Sequence, residues 1–368
     1  MSTSAAVREL DADEIARSHG PTEYLRALVR DGPAAYVENA SITMRALGVD
    51  DKVVPLVIAE PGRGCSYICS PHSHFVGYPL SERGKRASAL AMLGYRALLG
   101  PYGSLLRACR IDRVVYVDNW LLSTNPTTPL AADQIERITE YLRERYPRHA
   151  IVHRTVNPAL DPQRHAYLRA AGYRMIKSRR VYLFDPRADG VFRRHDVWKD
   201  RKLLRRTSHA VTRANGADSA EASRLNRLYR HLYLDYHCRL NPVYTERFFA
   251  LLLRDPFFSM FLWRRDEHCD AFSGLFVTNG HLVGMLTGYD RLQSRRDGLY
   301  RQVVAHQLVE AQRTGLMLNM SGGAGEFKCL RGAVESVEFD AVYDRHLPAW
   351  RRFAWRLVQW QGALWRMM

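Results

Sequence analysis

Apolar and polar positions follow strand-like and helix-like patterns most clearly in residues 281–332. Residues 281–287 form an apolar run between two glycines, which predicts a buried strand. Residues 299–314 carry apolar side chains at helical spacing, and Gly315 follows them, so they predict an amphipathic helix that ends at a glycine. A second apolar run at 316–320 predicts another strand. This order is typical of an α/β fold that holds an anionic ligand.

The residues just before the predicted helix form a basic loop. Two arginines precede a glycine there, so their charges would meet the free N–H groups and the positive dipole at the helix start. A phosphate would be stabilised at this position. The predicted donor-binding residues of the loop and first helical turn are Arg295, Arg296, Gly298, Leu299 and Tyr300.

A glycine-rich turn follows the second apolar run. Residues 321–328, SGGAGEFK, place three glycines next to one carboxylate and one ammonium group, side by side. Because backbone can approach a ligand closely at such a turn, we predict donor contacts from Ser321, Gly322 and Gly323. The alternative is that the glycines only make a tight turn and that both charges are solvated.

The pattern in this region resembles a known family. The helix end at 311–315 and the turn at 323–328 resemble the C-terminal half of GCN5-related N-acetyltransferase (GNAT) folds. They are most similar to the duplicated branch that holds the Fem-type peptidoglycan aminoacyltransferases and cellulose-biosynthesis-like acetyltransferases. Residues 167–185 resemble the end of a first GNAT domain. The resemblance implies an α/β (α+β) fold with two tandem GNAT-like domains, each a mixed, mostly antiparallel sheet flanked by helices.

Chain length fits this duplication, because 368 residues are more than one hydrophobic core usually serves. We expect an N-terminal GNAT-like domain at 1–190, a donor-binding catalytic domain at 191–346 and a basic, aromatic C-terminal helix at 347–368. Within the first domain, residues 52–60 predict a strand. Pro55 interrupts it, which favours an edge strand or a bulge.

The resemblance implies transfer of an acyl or aminoacyl group from acyl-CoA or aminoacyl-tRNA to an amine or a similar nucleophile. Such a transfer needs a base, a polarised carbonyl and a proton for the leaving group. We predict that Glu326 is the base, that Tyr289 protonates the leaving group and that Lys328 holds a donor phosphate or carboxylate. The backbone at Thr287 and Gly288 would polarise the carbonyl. No covalently bound cofactor is expected.

A catalytically silent protein that binds RNA or a membrane surface on the same scaffold is the alternative function. The donor is also open between a CoA thioester and a charged tRNA.

A tyrosine-rich region lies between two predicted helices of the second domain. In the resembling branch this region faces the acceptor, so the resemblance implies acceptor contacts from Tyr236, His237, Asn241 and Tyr244. Tyrosines at helical spacing are also typical of a core.

The formal net charge of +16 favours a polyanionic partner such as RNA or an anionic membrane surface, although a high-GC genome, which enriches arginine, would give the same excess. Residues 193–216 predict a basic helix in which Trp198 could stack on a base. This helix is either a solvated face or a cradle for RNA phosphates. Its predicted RNA-binding residues are Lys199, Arg201, Lys202, Arg205 and Arg206.

The six cysteines are too scattered for a disulfide scaffold, and the chain shows neither a signal-peptide pattern nor an apolar run long enough to span a membrane. We therefore expect a cytoplasmic protein with free thiols. Residues 65–78 predict an extended segment that carries Cys65, Cys69, His72 and His74. Their spacing matches no usual zinc pattern, so no metal site is predicted.

Residues 350–366 predict an amphipathic helix with displaced arginines. It either lies in a membrane interface or, as we favour, packs its apolar stripe onto the second domain. The stripe consists of Trp350, Phe353, Leu357, Trp360 and Leu364.

Overall fold

A computed structural model describes residues 7–17, 22–60, 62, 65–84, 88–216 and 218–364. Its strands are β1 (Arg8–Leu10), β2 (Ile42–Val49), β3 (Lys52–Ala59), β4 (Val114–Val117), β5 (Ala150–Val156), β6 (Arg174–Phe184), β7 (Ala210–Arg213), β8 (Ser259–Arg265), β9 (His268–Thr278), β10 (His281–Tyr289), β11 (Met317–Asn319) and β12 (Val334–Tyr343). Its α-helices are α1 (Ala12–Ala16), α2 (Thr22–Asp31), α3 (Tyr78–Gly84), α4 (Ala89–Ala108), α5 (Ala132–Arg145), α6 (Pro162–Ala170), α7 (His195–Arg205), α8 (Ser219–Tyr229), α9 (Glu246–Arg254), α10 (Arg291–Asp297), α11 (Leu299–Thr314), α12 (Gly325–Leu330) and α13 (Ala349–Leu364). Ser73–Gly77 and Arg230–His237 are π-helical.

The strands are hydrogen-bonded in the order β1-β2-β3-β4-β5-β12-β6-β11-β10-β9-β8-β7. Most pairs are antiparallel, whereas β4 pairs with β5 and β10 pairs with β11 in parallel. The α+β class with mixed, mostly antiparallel pairing is confirmed. The expectation of one sheet for each domain is wrong, because the strands belong to a single sheet of twelve.

The chain divides into two compact units. Unit 1 contains residues 1–178, 237–243 and 338–368, and unit 2 contains residues 179–236 and 244–337. β6 and β12 each contribute residues to both units. The domain limits expected from the sequence, 1–190, 191–346 and 347–368, remain predictions.

The core of unit 1 forms where α5 and α6 cover the strands. Ile135, Ile138 and Leu142 of α5 are buried in one cluster with Val115 of β4 and Ile151 of β5. This stripe has the helical spacing of an amphipathic helix, which explains why α5 forms. The same arrangement places the loop between β4 and α5 at the end of a parallel strand pair.

Two predictions in unit 1 are wrong. β3 is not an edge strand, since it lies between β2 and β4. Pro55 lies just past the last pairing of β3 with β4, which joins Leu56 to Val117, so the N–H that proline lacks is not needed in that pairing. Its carbonyl still accepts from Asp118 N. Residues 65–78 are not extended either. Ser73 N donates to Ser70 Oγ at 2.9 Å, which caps the helical turns that run into α3.

The core of unit 2 is built against α11. Val304, Leu308 and Ala311 of this helix are buried in one cluster with Leu282 of β10 and Leu318 of β11. Gly315 follows α11 in the left-handed conformation, with φ of 68°. The helix predicted at 299–314 is therefore confirmed to the residue.

The expectation for the C-terminal helix is wrong in its buried face. α13 belongs to unit 1, and its buried residues include Arg351, Trp355 and Val358. The Arg351 guanidinium donates to the carbonyls of Arg110 and Arg113 at 3.1 and 3.0 Å, and burial lowers its pKa to about 10. These bonds bury Arg351, whereas Trp350, Phe353 and Trp360 of the predicted apolar stripe are left exposed. Within the described residues, no helix is long and apolar enough to cross a membrane.

Candidate active site

The candidate site in unit 2 begins where a parallel strand pair separates. β10 pairs with β11 at only three positions, from His281 opposite Met317 to Val283 opposite Asn319. β10 then continues to Tyr289, while the chain after β11 stays with β6, because Met320 N donates to Tyr182 O at 2.9 Å. We call the divergence of β10 from β11 after Val283 the fork.

A bulge in β10 marks the start of the fork. The register with β9 shifts between Gly284 and Leu286, so one extra residue bends the strand. Gln307 of α11 packs against the strand there, since a Cβ on Gly284 would be in ordinary van der Waals contact with Gln307 Nε2, at 3.4 Å. That amide is fixed by its hydrogen bond to Ser273 Oγ at 3.0 Å. The bulge therefore has a rigid support from α11.

The N-terminus of α11 follows β10 in sequence after one short helix. Its cap is Gly298, left-handed at φ 67°, which has no side chain to accept from the helix, and Tyr300 N donates to Ser294 Oγ of α10 at a long 3.5 Å. A Cβ on Gly298 would lie 2.8 Å from Leu203 Cδ2, so the glycine also permits close packing beside α7. The other N–H groups of the first turn, at the positive end of a 16-residue helix, favour an anion.

The basic loop predicted before α11 is a helix, which corrects the sequence interpretation. Asp290 caps α10 by accepting from Leu292 N and Gln293 N at 3.0 and 3.3 Å. Arg296 is exposed on α10. Arg295 lies on the same helix, and its side chain falls outside the described part of the structure. Asp297 is paired with Arg265, which partly offsets its charge beside the helix start.

Aromatic hydroxyl groups gather at the open end of β10. Tyr233 Oη lies 3.3 Å from Thr287 Oγ1, and the rings of Tyr289 and Tyr300 are 5.6 Å apart. Tyr300 also packs 4.9 Å from the Phe327 ring of α12. Burial raises the pKa of both Tyr289 and Tyr300, so both are protonated at neutral pH and available as hydrogen-bond donors.

Two further predicted donor residues lie at this end of the unit. Leu299 is fully buried in a cluster with Trp263 and Val303, so it anchors the start of α11. Gly288 is buried, and a Cβ there would overlap the Phe272 ring at 2.3 Å. Both residues shape the site through packing.

The glycine-rich turn is held by Lys328. Its ammonium group donates to the carbonyls of Met320, Ser321 and Gly322 at 2.7, 3.1 and 2.8 Å. Burial lowers the pKa of Lys328 to about 7, with a smaller contribution from Arg179, whereas each carbonyl bond favours the charged form. An ammonium group has three donors, and the turn uses all of them. The predicted contact of Lys328 with a donor phosphate stays a prediction.

Glu326 and Lys328 both lie on α12, which corrects the description of the pair as side by side. Residues two apart on a helix point in nearly opposite directions. Lys328 is accordingly buried, whereas Glu326 is exposed in the first turn. Gly325 is required beside them, since a Cβ there would lie 2.0 Å from Tyr182 Oη. Glu326 is free to meet a substrate from solvent, and its role as base remains a prediction.

The basic helix α7 is anchored through an acid. Asp200 is fully buried and accepts from Arg301 Nε of α11 and Arg331 Nε, each at 2.6 Å. Arg331 also stacks 3.3 Å from the centre of the Phe327 ring. Asp200 therefore ties α7 to the helix whose start the predicted phosphates would occupy.

The predicted RNA-binding residues are distributed over the remaining surface of α7 and its C-terminus. Lys199, Arg205 and Arg206 are exposed. Arg201 lies over the Phe192 ring at 5.2 Å, and Lys202 lies over the Trp198 ring at 5.0 Å. These contacts hold two of the cations against aromatic rings and leave the other three in solvent.

The four predicted acceptor residues have different environments. Tyr244 of unit 2 is fully buried and stacks on Phe248 at 3.8 Å, which is a core contact. Tyr236 is half-exposed in the same unit, with the Arg291 guanidinium 3.8 Å from its ring centre. His237 and Asn241 belong to unit 1.

His237 and Asn241 are held by contacts within unit 1. His237 Nδ1 lies 3.9 Å from Glu82 Oε2, and the buried Asn241 donates to Cys238 O at 2.9 Å. An acceptor role for the four residues remains a prediction.

Sequence reasoning missed Tyr233, Asp200 and Arg331. The signal for Tyr233 was its helical spacing with Tyr229, on which it stacks at 4.7 Å. Asp200 carried a weaker signal as an acid within a run of cations. Its two arginine partners are 101 and 131 residues away in sequence, so no local pattern indicates them.

Unit 1 contains the same strand and helix order with a different loop. Asp118, directly after β4, is buried and accepts from Thr128 N, Trp120 Nε1 and Arg164 Nη1, each at 2.9 Å. The residue before α5 is also held, since Gln134 Oε1 accepts from Ala131 N at 2.9 Å. The chain therefore fills this place in unit 1 with its own side chains.

An open cavity of unit 1 is lined by none of the predicted site residues. It has a volume of about 610 Å³ and is lined by residues that include Arg169, Arg174 and Arg345. The residues that line it all belong to unit 1, whereas the predicted donor-binding residues belong to unit 2.

The cysteine and histidine group of unit 1 is held by pairwise contacts. Cys65 Sγ and Cys69 Sγ are 3.1 Å apart. His72 Nε2 lies 3.0 Å from Arg107 Nη1, and His74 Nε2 lies 3.0 Å from Ser178 Oγ. In the part of the chain that the structure describes, no group of three such side chains is placed to hold a metal ion.

Comparisons with known proteins give the fold. No family model and no curated protein matches the chain. The crystal structure of FemX matches with a TM-score of 0.56 and 10% identity, over 95% of this chain and 100% of that chain. The C-terminal domain of a putative lysylphosphatidylglycerol synthetase from Agrobacterium fabrum matches with a TM-score of 0.44 and 14% identity, over 62% of this chain and 76% of that chain. A tandem GNAT protein from the clavulanic acid biosynthesis pathway matches with a TM-score of 0.40 and 12% identity, over 93% and 99%.

The FemX match spans both units, and the chain has the duplicated GNAT fold that the sequence resemblance implies. At 10% identity this likeness concerns the fold alone. The reaction has to be argued from the site.

Proposed function

We propose that unit 2 transfers an acyl or aminoacyl group from a phosphate-bearing donor to an amine. The observation that carries this proposal is the fork beside the start of α11. A strand leaves its parallel neighbour after Val283, and the next long helix begins at a glycine without a side-chain cap. The fork accommodates an extended acyl arm, and the helix start stabilises the donor's phosphates.

The reacting carbonyl would lie beside β10 past the bulge, near Thr287 and Gly288. There the strand has β9 on one side only among the described pairings. Its backbone on the open side is suited to polarise a carbonyl oxygen as negative charge develops.

The acceptor amine attacks this carbonyl, so a C–N bond forms and the C–O or C–S bond to the donor breaks. Glu326 takes the proton that the amine loses, and the phenol of Tyr289 donates a proton to the leaving oxygen or sulfur. The raised pKa of Tyr289 supports this role, because the hydroxyl group still carries its proton at neutral pH.

Aminoacyl-tRNA is the donor that the surroundings of the site favour over acyl-CoA. α7 lies beside the start of α11, as the Leu203 contact with Gly298 requires, and it exposes Lys199, Arg205 and Arg206. These cations extend the anion-binding region beyond the length of one nucleotide, which suits an RNA backbone. In place of a glycine-rich phosphate loop, the chain has α10 and a single glycine.

The proposal is tested by offering both donor types to the protein. Thermal unfolding is measured with acetyl-CoA, with aminoacylated tRNA and with deacylated tRNA, and hydroxylamine serves as a small nucleophile whose acyl product is detected by mass spectrometry. We expect charged tRNA to stabilise the protein, by about 3 kcal/mol at a concentration 100-fold above its dissociation constant, and to give the hydroxamate.

Stabilisation by acetyl-CoA with an acetyl product would replace the tRNA assignment and keep the transfer reaction. RNA binding without any product, unchanged in Glu326→Gln and Lys328→Met variants, would instead favour a non-catalytic RNA-binding protein.

A further inference from the structure

The exposed face of α13 is unusually aromatic. Trp350, Phe353 and Trp360 have 49, 46 and 61% of their surface exposed. They recur at positions i, i+3 and i+10, so they form one stripe with the half-buried Leu357. We call these four residues the aromatic stripe. Large aromatic side chains aligned in solvent indicate an interaction surface.

A second apolar face lies on α4 of the same unit. Leu93 and Leu105 are 65 and 43% exposed, and Ala97, Pro101 and Ala108 are exposed between and after them at helical spacing. We call these five residues the α4 stripe. None of its members is charged, although the helix faces solvent there. A solvated helix face normally carries charged or polar residues.

The two helices are neighbours. Tyr102 Oη of α4 donates to Gln361 Oε1 of α13 at 2.7 Å, and Gln361 Nε2 donates to Phe75 O at 3.0 Å. Gln361 directly follows Trp360 of the aromatic stripe. The two stripes therefore belong to adjacent helices that one hydrogen-bonded residue links.

The charged side chains of the two helices are all cationic. Neither α4 nor α13 contains an aspartate or a glutamate, and together they carry five arginines. Arg356 and Arg107 are exposed, and Arg352 is half-buried. Two copies of this surface would repel each other, because like charges would meet. Anionic lipid headgroups would instead bind the arginines, and the aromatic rings would lie between the headgroups and the acyl chains.

We propose that unit 1 binds the surface of an anionic lipid bilayer through the aromatic stripe and the α4 stripe. The aromatic rings enter the region between headgroups and acyl chains, and the arginines remain among the phosphates. The inference rests on surface composition in unit 1, so it stands apart from the transfer reaction proposed for unit 2.

Vesicle flotation tests the proposal with the full chain. Wild-type protein is expected to float with vesicles of equal phosphatidylglycerol and phosphatidylcholine, and to bind phosphatidylcholine vesicles far less. The variant with Trp350→Ala, Phe353→Ala and Trp360→Ala should bind at least about tenfold more weakly. Arg352→Gln with Arg356→Gln should weaken binding about fivefold for each charge removed.

Trp198→Ala is the matched control, because this tryptophan of unit 2 is 50% exposed. It should bind vesicles like the wild type. Leu93→Gln with Leu105→Gln leaves α13 intact and should also lower binding. This variant provides the test if circular dichroism shows that the triple variant does not fold. Absence of wild-type binding to anionic vesicles would overturn the proposal. An equal loss of vesicle binding in the Trp198 control would also overturn it. So would a dimer, detected by light scattering, that does not bind vesicles and that the stripe substitutions dissociate.

Discussion

The two units place different groups at the same point of a repeated arrangement. In each, a strand is followed by a helix and then by a strand that pairs with the first in parallel. In unit 2 the helix α11 begins at Gly298 without a side-chain cap. In unit 1 the residue before α5, Ala131, gives no side-chain cap either, and the difference lies in the preceding loop, which folds around the buried Asp118.

This difference indicates which of the two units carries the proposed ligand site. Unit 1 satisfies the polar groups of its loop internally, through a buried carboxylate and Arg164. In unit 2 we propose that a donor binds at the fork, with its phosphates at the start of α11. Stability and binding should therefore respond to substitutions at different units.

Removing the internal charge partner of unit 1 should give the largest loss of stability. Asp118→Asn leaves the buried Arg164 without its counter-charge, and we expect the free energy of unfolding to fall by about 3–5 kcal/mol. Urea denaturation followed by circular dichroism measures it. Asp133→Asn, an exposed carboxylate of α5, should cost less than about 1 kcal/mol. Similar losses for both variants would mean that Asp118 does not close the loop.

In unit 2, removal of the proposed base should lower turnover while stability is kept. Glu326→Gln should reduce the rate of transfer to hydroxylamine about 10²–10³-fold, because the carboxylate is exposed and its loss affects proton transfer. Single-turnover kinetics with charged tRNA measure this rate. Glu335→Gln, another partly exposed carboxylate of unit 2, is the control. Full turnover in the Glu326 variant would show that the base lies elsewhere.

The two glycines at the ends of α11 allow binding to be separated from backbone strain. Gly298 and Gly315 have φ of 67° and 68°, so backbone strain should cost an alanine at either about 1 kcal/mol of stability, and Gly298→Ala should cost more because its Cβ would lie 2.8 Å from Leu203 Cδ2. Only Gly298→Ala lies at the proposed phosphate site, and it should weaken donor binding about tenfold. Filter binding at fixed salt compares the variants. Equal affinities in both would remove the helix start from the site.

The last prediction is a pH dependence of stability that Lys328 causes. Its native pKa of about 7 lies below the value of about 10.4 in an unfolded chain, so the unfolded state binds more protons between these values. Stability should therefore rise with pH across this window in the wild type. Lys328→Met should lose that rise, whereas Lys199→Met, an exposed cation, should keep it. Parallel curves for wild type and Lys328→Met would contradict the lowered pKa.

Local signals predicted α11 to its last residue, because spacing and a terminal glycine act within one helix. The errors arose where distant groups decide the structure. Residues 65–78 turn helical partly because Asp112 Oδ1 accepts from His72 N across 40 residues. Arg351 of α13 is buried because its guanidinium binds carbonyls more than 200 residues away.

The candidate site was predictable in its elements and less so in its contacts. The strand, the helix and the glycine-rich turn were found from sequence, and the turn's carbonyl bonds to Lys328 were not. A sequence shows which residues are near each other along a helix. It does not show which of them faces inward, and that separates Glu326 from Lys328.

Amide hydrogen exchange with and without saturating donor tests the central claim most directly, because it compares both units in one experiment. Aminoacylated tRNA is added first, and acetyl-CoA is used if it is the donor that stabilises the protein. We predict slower exchange in peptides that cover residues 286–300 of unit 2, and unchanged exchange in peptides that cover residues 118–131 of unit 1. Slower exchange at 118–131 with no change at 286–300 would contradict it.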